Sequence, residues 1–301
     1  MEIKTITINI SMKPKKITIL TATFIATLAF ATSCSNNGTK QNIVGGLIEG
    51  MLAEGSNSEQ IDTLSNTASD NQHGIEIPAK LNDRPEQILK REGYTTSYNK
   101  NTKQPNWVAW HLTADHTSGH CKRDGIDFQE DPDVPSPRAT DNDYYRSRYD
   151  RGHQCPAGDN KWSITAMQQS FLFTNICPQA PSLNRGDWNE LENTCRKWAK
   201  HFGSIYIACG PIFKKGSHKT IGKHKIHVPE AFFKVVLCIE GTPKAIGFIY
   251  QNDDGNHPTR YYAKSVDEVE KATRIDFFPS LKDNIEQKVE SQYSLESWDI
   301  E

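Results

Sequence analysis

The sequence predicts an α+β fold in which helices lie on a central, mainly antiparallel sheet. The first observation is that segments rich in β-branched and aromatic residues dominate the part of the chain able to form a core. The second is that only a few segments carry helix-start signals, so helices are the minority element. The predicted strands are 107–112, 170–176, 204–209, 231–239 and 245–250, with a turn at 241–243 between the last two.

Two helices are predicted from capping boxes, in which two side chains three positions apart each bond a free backbone amide at the helix start. Asp187 and Glu190 form the first box and predict a helix that ends near Phe202. Ser265 and Glu268 form the second box and predict another helix.

The N-terminus is predicted to be a targeting segment and not part of the fold. Lysines at positions 13, 15 and 16 precede an uncharged, mostly apolar run at 17–30. That run is shorter than the roughly 20 residues that a membrane-spanning helix needs. Small residues then lead to Cys34, and the whole segment resembles a bacterial lipoprotein signal. We therefore expect residues 1–33 to be a signal peptide. The exported protein would be a periplasmic or cell-surface lipoprotein, held on a membrane by a lipid on Cys34. An ordinary cleaved signal is the alternative.

The remaining chain is predicted to form a tether and one globular domain. Residues 34–75 are rich in Ser, Asn, Gly and Thr, a composition typical of flexible linkers. The predicted domain covers 76–301, and the hydrophobic fraction of 36% is compatible with a packed core.

The charge distribution indicates local and not global affinity for anions. The formal net charge of the chain is -2, so an anionic partner must be bound by a local patch. Residues 193–229 contain no Asp or Glu and supply such a patch. Its basic residues are Arg196, Lys197, Lys200, Lys214, Lys215, Lys219, Lys223 and Lys225, with four histidines. We expect this stretch to bind backbone phosphates without reading bases, and a solvated basic loop is the alternative.

The cysteines leave a disulfide framework open. Besides Cys34, an even number is present, which permits disulfides in an exported protein, although the sequence does not choose among the pairings. These residues are Cys121, Cys155, Cys177, Cys195, Cys209 and Cys238.

Another group of residues, His111, His116, His120 and Cys121, has the composition of a metal cluster. Its spacings fit no common zinc pattern, so we do not expect zinc there.

The most informative run is Asp150-Arg151-Gly152-His153. An imidazole has an ordinary pKa of about 6.5, so His153 can accept a proton near neutral pH. Arg151 can contact a phosphate, and Gly152 is expected to let the backbone turn sharply between them. This combination suits attack on a phosphodiester.

A second group of candidate residues follows the run. Asn184 offers an amide oxygen, a hard ligand that suits magnesium. Glu192 and Arg196 are four residues apart, and so share one face of the predicted helix. Each residue alone also has a structural interpretation, with Asn184 as a turn residue and Glu192–Arg196 as a solvated ion pair.

Together these motifs resemble the DNA/RNA non-specific endonucleases of the ββα-metal type, which include secreted bacterial nucleases and mitochondrial endonuclease G. The resemblance is carried by 150–153, 174–179, Asn184 and Glu192, with further similarity at 265–270 and 276–279. It spans roughly 106–281 and implies the ββα-metal nuclease fold.

The resemblance implies a role for each site residue. His153 is the general base, and Asn184 is the sole direct protein ligand of magnesium, or of manganese or another divalent cation in its place. Arg151 contacts phosphate, Glu192 holds a water of the metal ion, and Arg196 helps to neutralise the transition state.

Four further positions are matched by the same resemblance. Asn175 matches a polar active-site position that we assign to substrate binding, together with Lys197 and Lys200 of the basic stretch. Cys155 and Cys177 lie within the motifs, and Arg274 stands where the family often has Gly.

The implied activity is magnesium-dependent hydrolysis of DNA and RNA, independent of sequence, that leaves 5′-phosphate ends. Two alternatives stay open. One is a catalytically silent nucleic-acid-binding surface lipoprotein, against which the complete set of site residues argues. The other is a phosphodiesterase that acts on small nucleotides, against which the basic stretch argues.

Overall fold

The computed structural model describes residues 74–253 and 255–300. The predicted signal peptide, Cys34 and most of the predicted tether lie outside the described residues. The strands are Gln87–Lys90 (β1), Thr95–Asn99 (β2), Gln104–Thr113 (β3), Asp150–His153 (β4), Ile176–Gln179 (β5), Ser204–Ile212 (β6), Thr220–Ile221 (β7), Ile226–His227 (β8), Ala231–Cys238 (β9), Lys244–Gln251 (β10) and Ala263–Lys264 (β11). The helices are Asp141–Tyr144 (α1), Ile164–Gln169 (α2), Pro181–Arg185 (α3), Asp187–Phe202 (α4), Thr259–Tyr262 (α5), Val266–Thr273 (α6) and Asp283–Glu290 (α7).

Seven strands form one sheet in the order β1-β2-β3-β6-β9-β10-β11, and every neighbouring pair is antiparallel. Helices lie on this sheet, so the predicted α+β class is confirmed. The strands predicted at 107–112, 204–209, 231–239 and 245–250 are β3, β6, β9 and β10. Two small hairpins, β4–β5 and β7–β8, stand apart from the main sheet.

Apolar side chains that point alternately to the two faces of the central strands form a core on each face of the sheet. In β3, Val108, Trp110 and Leu112 pack with α4, whereas Trp107 and Ala109 pack with α6 and α7. Successive side chains of a strand point to opposite faces, so one strand serves both cores. The face that carries α4 also holds the β4–β5 hairpin and α3, which bear the predicted site. The other face carries α6 and α7.

The strand predicted at 170–176 is wrong. Helix α2 ends at Gln169, a 3₁₀ turn occupies Phe173–Asn175, and the strand begins only at Ile176. Asn175 causes the turn, because its side chain bonds the backbone nitrogen and oxygen of Cys155 and the carbonyl of Ser170. A run of β-formers cannot stay extended while its polar member is committed to such local bonds.

One of the two capping boxes forms. Ser265 accepts from the Glu268 amide, and Glu268 accepts from the Ser265 amide, as predicted. The box at Asp187 is wrong, although the helix has the predicted bounds. Gly186 is the N-cap, and the Asp187 carboxylate instead accepts from the amides of Asn256 and His257.

The six cysteines within the described residues are all free, so none of the disulfides that the sequence permits forms among them. Five of them lie in the core on the α4 face, where they pack as small apolar side chains. Cys155 and Cys209 are also engaged locally, since Cys155 accepts from the Asn160 amide and Cys209 donates to the Gln154 carbonyl. Among the described residues, no helix is long and apolar enough to cross a membrane.

Candidate active site

The β4–β5 hairpin holds the Asp150–His153 run next to α3 and α4. In the register of this hairpin, Gly152 of β4 pairs with Cys177 of β5, and His153 pairs with Ile176. Gly152 is not the expected hinge but a point of close approach, since a Cβ there would lie 2.2 Å from Gln179 Oε1 and 2.6 Å from its Cβ. The glycine is needed because any side chain would separate the two strands.

Five of the predicted site residues converge on one cleft with a volume of about 840 Å³. They are Arg151, His153, Asn184, Glu192 and Arg196. Three come from the hairpin and α3, and two from successive turns of α4. The loop 119–124 also lines the cleft and brings Lys122 and Arg123 to it.

His153 is half-buried and packs against two aromatic rings that also contact each other. Its ring centroid lies 5.3 Å from Phe128 and 4.9 Å from Phe171, the latter edge-on. Burial, with a smaller effect of the Arg123 charge, lowers the pKa of His153 to about 3. The imidazole is therefore neutral over the whole physiological pH range, which is the form that can accept a proton.

Asp150 fixes the orientation of Asn184. The Asn184 amide nitrogen donates to Asp150 Oδ2 at 3.0 Å, and Arg185 donates to both oxygens of the same carboxylate at 2.7 Å. Burial opposes ionisation of Asp150, but these hydrogen bonds outweigh it and lower its pKa. A carboxylate only accepts hydrogen bonds, so the amide must present nitrogen to Asp150, and its oxygen remains available as a ligand atom.

Buried charges support the α4 part of the cleft. Arg196 donates to Asp159 at 2.8 Å, and Asp159 is buried and also accepts from the Trp110 indole. Burial raises the pKa of Glu192 to about 7, against the opposing charges of Lys234 and Arg196. Glu192 thus gains a proton more readily than an ordinary glutamate unless a further cation binds in the cleft.

Lys234 is a buried cation beneath this part of the cleft, and it lies in the middle of β9. Its Nζ lies 4.5 Å from the Trp188 ring centroid and 5.2 Å from that of Trp110. Burial disfavours its charge, but neighbouring groups, Glu192 and Asp159 among them, more than offset this and raise the pKa of Lys234.

Arg151 lines the cleft but is partly committed to another partner. Its Nε donates to Asp141 Oδ1 at 2.6 Å, and its guanidinium lies 5.6 Å from the ring centroids of Phe128 and Tyr144. About a quarter of its side chain is exposed. Its exposed part can therefore meet a ligand while Asp141 holds its position.

The structure does not place Asn175 at the cleft. Its side chain is fully buried, and both its amide nitrogen and its oxygen are bonded to backbone groups of Cys155 and Ser170. This position gives no support to the predicted contact between Asn175 and a substrate. Asn175 instead anchors the chain just after His153, so it positions the base.

Lys197 and Lys200 border a neighbouring cavity of about 490 Å³ and not the cleft itself. Lys161 and Arg196 line both spaces, so the two are continuous along α4. The basic stretch at 193–229 therefore has two parts that lie in different places, and the earlier part runs along α4. Its later part folds into β7–β8, where His224 bonds Asp143 and Lys219 bonds the Tyr149 hydroxyl.

The side chains of the histidine-rich group at 111–121 do not converge within ligand distance of one another. His111 stacks on Tyr206, and His116 stacks on Trp162 with its Nδ1 near the His111 carbonyl. His120 and Cys121 line the cleft wall instead. In the described part of the chain, only carboxylates far along the sequence form a cluster with metal-like spacing.

Sequence reasoning missed Arg123, Asp159 and Lys234. Lys234 had a readable signal, because it is a lysine within a strand whose eight residues are all buried. Charged residues are almost never fully buried unless paired, so its position alone indicates an internal charge network. Arg123 and Asp159 lie in irregular segments and carry no comparable signal.

A strand pair followed by a helix, with a neutral histidine, an oriented amide oxygen and two arginines around one cleft, defines a ββα-metal nuclease. Enzymes of this class hydrolyse phosphodiester bonds and depend on a metal ion. The chain belongs to the DNA/RNA non-specific endonuclease family, whose model matches residues 73–284.

Similar proteins agree with this assignment. The chain is 40% identical to Nuclease C1 of Cunninghamella echinulata var. echinulata over 210 residues, which cover 64% of this chain and 83% of that protein. It is 34% identical to the mitochondrial nuclease EXOG of Danio rerio over 217 residues, or 66% of this chain and 63% of the relative. A solved EndoG/EndoGI complex is similar with a TM-score of 0.63 and 25% identity, covering 65% of this chain and 87% of the other.

Proposed function

We propose that the protein is a magnesium-dependent endonuclease that cleaves both DNA and RNA and leaves 5′-phosphate ends. The observation that carries the proposal is the convergence of His153, Asn184, Glu192, Arg151 and Arg196 on one cleft. Magnesium and manganese both accept an amide oxygen and carboxylates, and magnesium is the ion that we propose.

His153 acts as the general base. Its Nε2 is buried and has no hydrogen-bond partner among the described residues, so this atom cannot reach a substrate. We therefore assign proton abstraction to Nδ1, with Nε2 carrying the proton of the neutral ring. Phe128 and Phe171 hold the ring plane, which keeps the accepting lone pair in a fixed direction.

The residues of the cleft fit a hard cation. Asp150 turns the Asn184 amide so that its oxygen is the ligand atom, and the Glu192 carboxylate lines the same cleft. When bound, the cation supplies a Lewis acid that stabilises the charge on the phosphate and on the leaving oxygen. Asn184 would bind it directly, and Glu192 would orient a water in its coordination shell.

Arg151 and Arg196 neutralise the phosphate as charge develops on it. Both are tethered to carboxylates in this structure, to Asp141 and Asp159, so their guanidinium groups are positioned before the substrate arrives. Preorganised charge contributes more to the rate than charge that must be recruited during the reaction. Lys197 and Lys200 extend the positive surface along α4, which suits a polymer better than a small diester.

The test is digestion of plasmid DNA and of structured RNA, with and without magnesium, by wild type, His153→Ala and Asn184→Ala. We expect both substrates to be cut only with magnesium, and each variant to lose at least about 100-fold in rate, the usual scale of general acid–base catalysis. End labelling should find 5′-phosphates. Equal rates for His153→Ala and wild type would refute the assignment of the base. Cleavage of bis-p-nitrophenyl phosphate but not of polymer would replace the endonuclease with a small-diester phosphodiesterase.

We also propose that the protein is exported and anchored through a lipid on Cys34. The support is the signal-like sequence before Cys34 and the linker-like composition after it. Cys34→Ser should move the protein from the membrane fraction to the soluble fraction and abolish metabolic labelling with a radioactive fatty acid. Unchanged membrane association of Cys34→Ser would exclude this anchor.

A further inference from the structure

A cluster of carboxylates lies between α6 and α7, on the face of the sheet opposite the catalytic cleft. Ligand oxygens of Asp267, Glu270 and Glu290 all lie within 4.8 Å of one another. Asp267 and Glu270 are three residues apart on α6, and Glu290 is the last residue of α7. The three side chains therefore meet where the two helices face each other.

Glu290 distinguishes this cluster from an ordinary group of exposed acidic side chains. The residue is 6% exposed, and its Oε1 is buried with no hydrogen-bond partner among the described residues. A buried carboxylate oxygen without a donor is costly, because neither water nor protein compensates the lost solvation. The carboxylate that carries this oxygen is the one that converges with Asp267 and Glu270.

The surroundings add negative charge and no described counter-ion. The negative charges of Glu270, Glu286, Asp267 and Asp276 all act on Glu290. None of these five carboxylates takes part in an ion pair between described residues. Among the described residues, a single hydrogen bond reaches the three converging side chains, from the Phe277 amide to Glu270 Oε1 at 2.7 Å.

We propose that Asp267, Glu270 and Glu290 form a structural calcium site that joins α6 to α7, separate from the catalytic metal site. Calcium is bound by carboxylate oxygens at about 2.3–2.6 Å, so two of its ligands can be at most about 5 Å apart, in agreement with the spread of these oxygens. Calcium also tolerates irregular coordination completed by water, and the exposed Asp267 leaves the site open to solvent. The ion would compensate Glu290 and tie the C-terminal helix to the sheet.

The experiment measures thermal unfolding with calcium chloride and with EDTA, together with calcium stoichiometry by equilibrium dialysis. All proteins carry Asn184→Ala, which removes the catalytic ligand, so the outcome does not depend on the proposed activity. We expect near-saturating calcium to raise the Tm of Asn184→Ala by about 5–10 °C and to bind once per chain. The rise should be absent in Asn184→Ala/Glu290→Gln and in Asn184→Ala/Asp267→Asn.

Glu92→Gln in the same background is the matched control, because it removes an exposed glutamate remote from the cluster, and it should keep the full calcium response. In EDTA, Glu290→Gln should be at least as stable as its parent, since a neutral amide of the same size adds no charge to the acidic cluster, and this shows that the variant folds. The proposal is overturned if calcium fails to stabilise Asn184→Ala, or if the stabilisation persists in the Glu290→Gln and Asp267→Asn variants. The first result would mean that the cluster is neutralised without calcium, and the second that the stabilising calcium binds elsewhere.

Discussion

The carboxylate of Asp150 bonds the side-chain amide of Asn184 at 3.0 Å, and so the first residue of the β4 run orients the proposed metal ligand on α3. The two residues are 34 positions apart in the sequence. The acid of the run therefore acts through another residue, and we do not assign it a direct part in the chemistry.

Asp150→Ala should weaken magnesium binding more than it impairs the base. The Asn184 amide would lose the bond that turns its oxygen toward the ion, and loss of such outer partners typically costs about 10–100-fold in metal affinity. Magnesium titrations of activity should show a higher half-saturation concentration, with most of the rate restored at high magnesium. Asp124→Asn, which alters an exposed acid of the same cleft, should leave the half-saturation unchanged.

Gly152→Ala should destabilise the protein through the β4–β5 hairpin. The new Cβ would lie 2.2 Å from Gln179 Oε1 and 2.6 Å from Gln179 Cβ, so the strands must separate at a cost of about 1–3 kcal/mol. Urea unfolding would measure the loss. The double variant Gly152→Ala/Gln179→Gly removes the obstructing side chain and should recover part of the stability. A single variant as stable as wild type would show that the contact is easily relieved.

Asp143→Asn should lower the free energy of unfolding at neutral pH, and this destabilisation should disappear in acid. Asp143 accepts from the backbone amide and Nδ1 of His224 and from the amide and hydroxyl of Thr140, and its side chain is buried. Burial opposes its ionisation, but these hydrogen bonds outweigh that effect and lower the pKa of Asp143 in the folded state. The ionised carboxylate therefore stabilises the fold above the unfolded-state pKa of about 4, and the contribution disappears as the pH falls through the lower folded-state value.

We expect Asp143→Asn to cost about 2 kcal/mol near neutral pH, the scale of charge-assisted hydrogen bonds, and progressively less in acid. Unfolding measured across a pH series checks this. Asp141→Asn is the matched control, because that neighbour is 61% exposed and should change stability little. A difference between Asp143→Asn and wild type that is constant with pH would contradict the linkage.

Lys197→Gln/Lys200→Gln should weaken nucleic-acid binding and reduce its salt dependence. Both lysines are exposed on α4 and border the cavity that continues the cleft. Each lost phosphate contact should reduce the slope of log K against log salt by about 0.9. Binding of duplex DNA by His153→Ala proteins measures the slope without cleavage. Lys271→Gln/Lys288→Gln makes the same charge change on the opposite face and should leave the slope unchanged.

Arg274→Gly should stabilise the protein slightly. Arg274 ends α6 in the left-handed region at φ 59°, where a Cβ is strained and glycine is favoured. We expect a gain of about 0.5–1 kcal/mol, reduced by loss of the exposed ion pair with Asp83 at 3.1 Å. Arg274→Ala loses the same ion pair but keeps the Cβ, and so should gain nothing. Equal stability of the two variants would show that the backbone is not strained.

Local signals correctly predicted four strands of the main sheet, both bounds of α4 and the start of α6. The strands β3, β6, β9 and β10 have continuous apolar and β-branched runs, so burial and propensity agree. The prediction failed at 170–176, where the same propensity competes with the side-chain bonds of Asn175. It failed also at Asp187, whose carboxylate finds partners about 70 residues away. In both cases a polar side chain was committed to partners that local sequence does not identify.

The sequence by itself determined which residues could do the chemistry. A histidine, an amide, a carboxylate and two arginines are chemical identities, and their order along the chain was enough to indicate the family. Tertiary structure alone decided what each of them does in place. It buried Asn175 away from the cleft, turned Asn184 by means of Asp150, made Gly152 a point of strand contact, and left the cysteines unpaired. It also placed Lys234 beneath Glu192 and Glu290 opposite Asp267. Orientation, burial and pKa depend on neighbours distant in sequence, so only the packed fold fixes them.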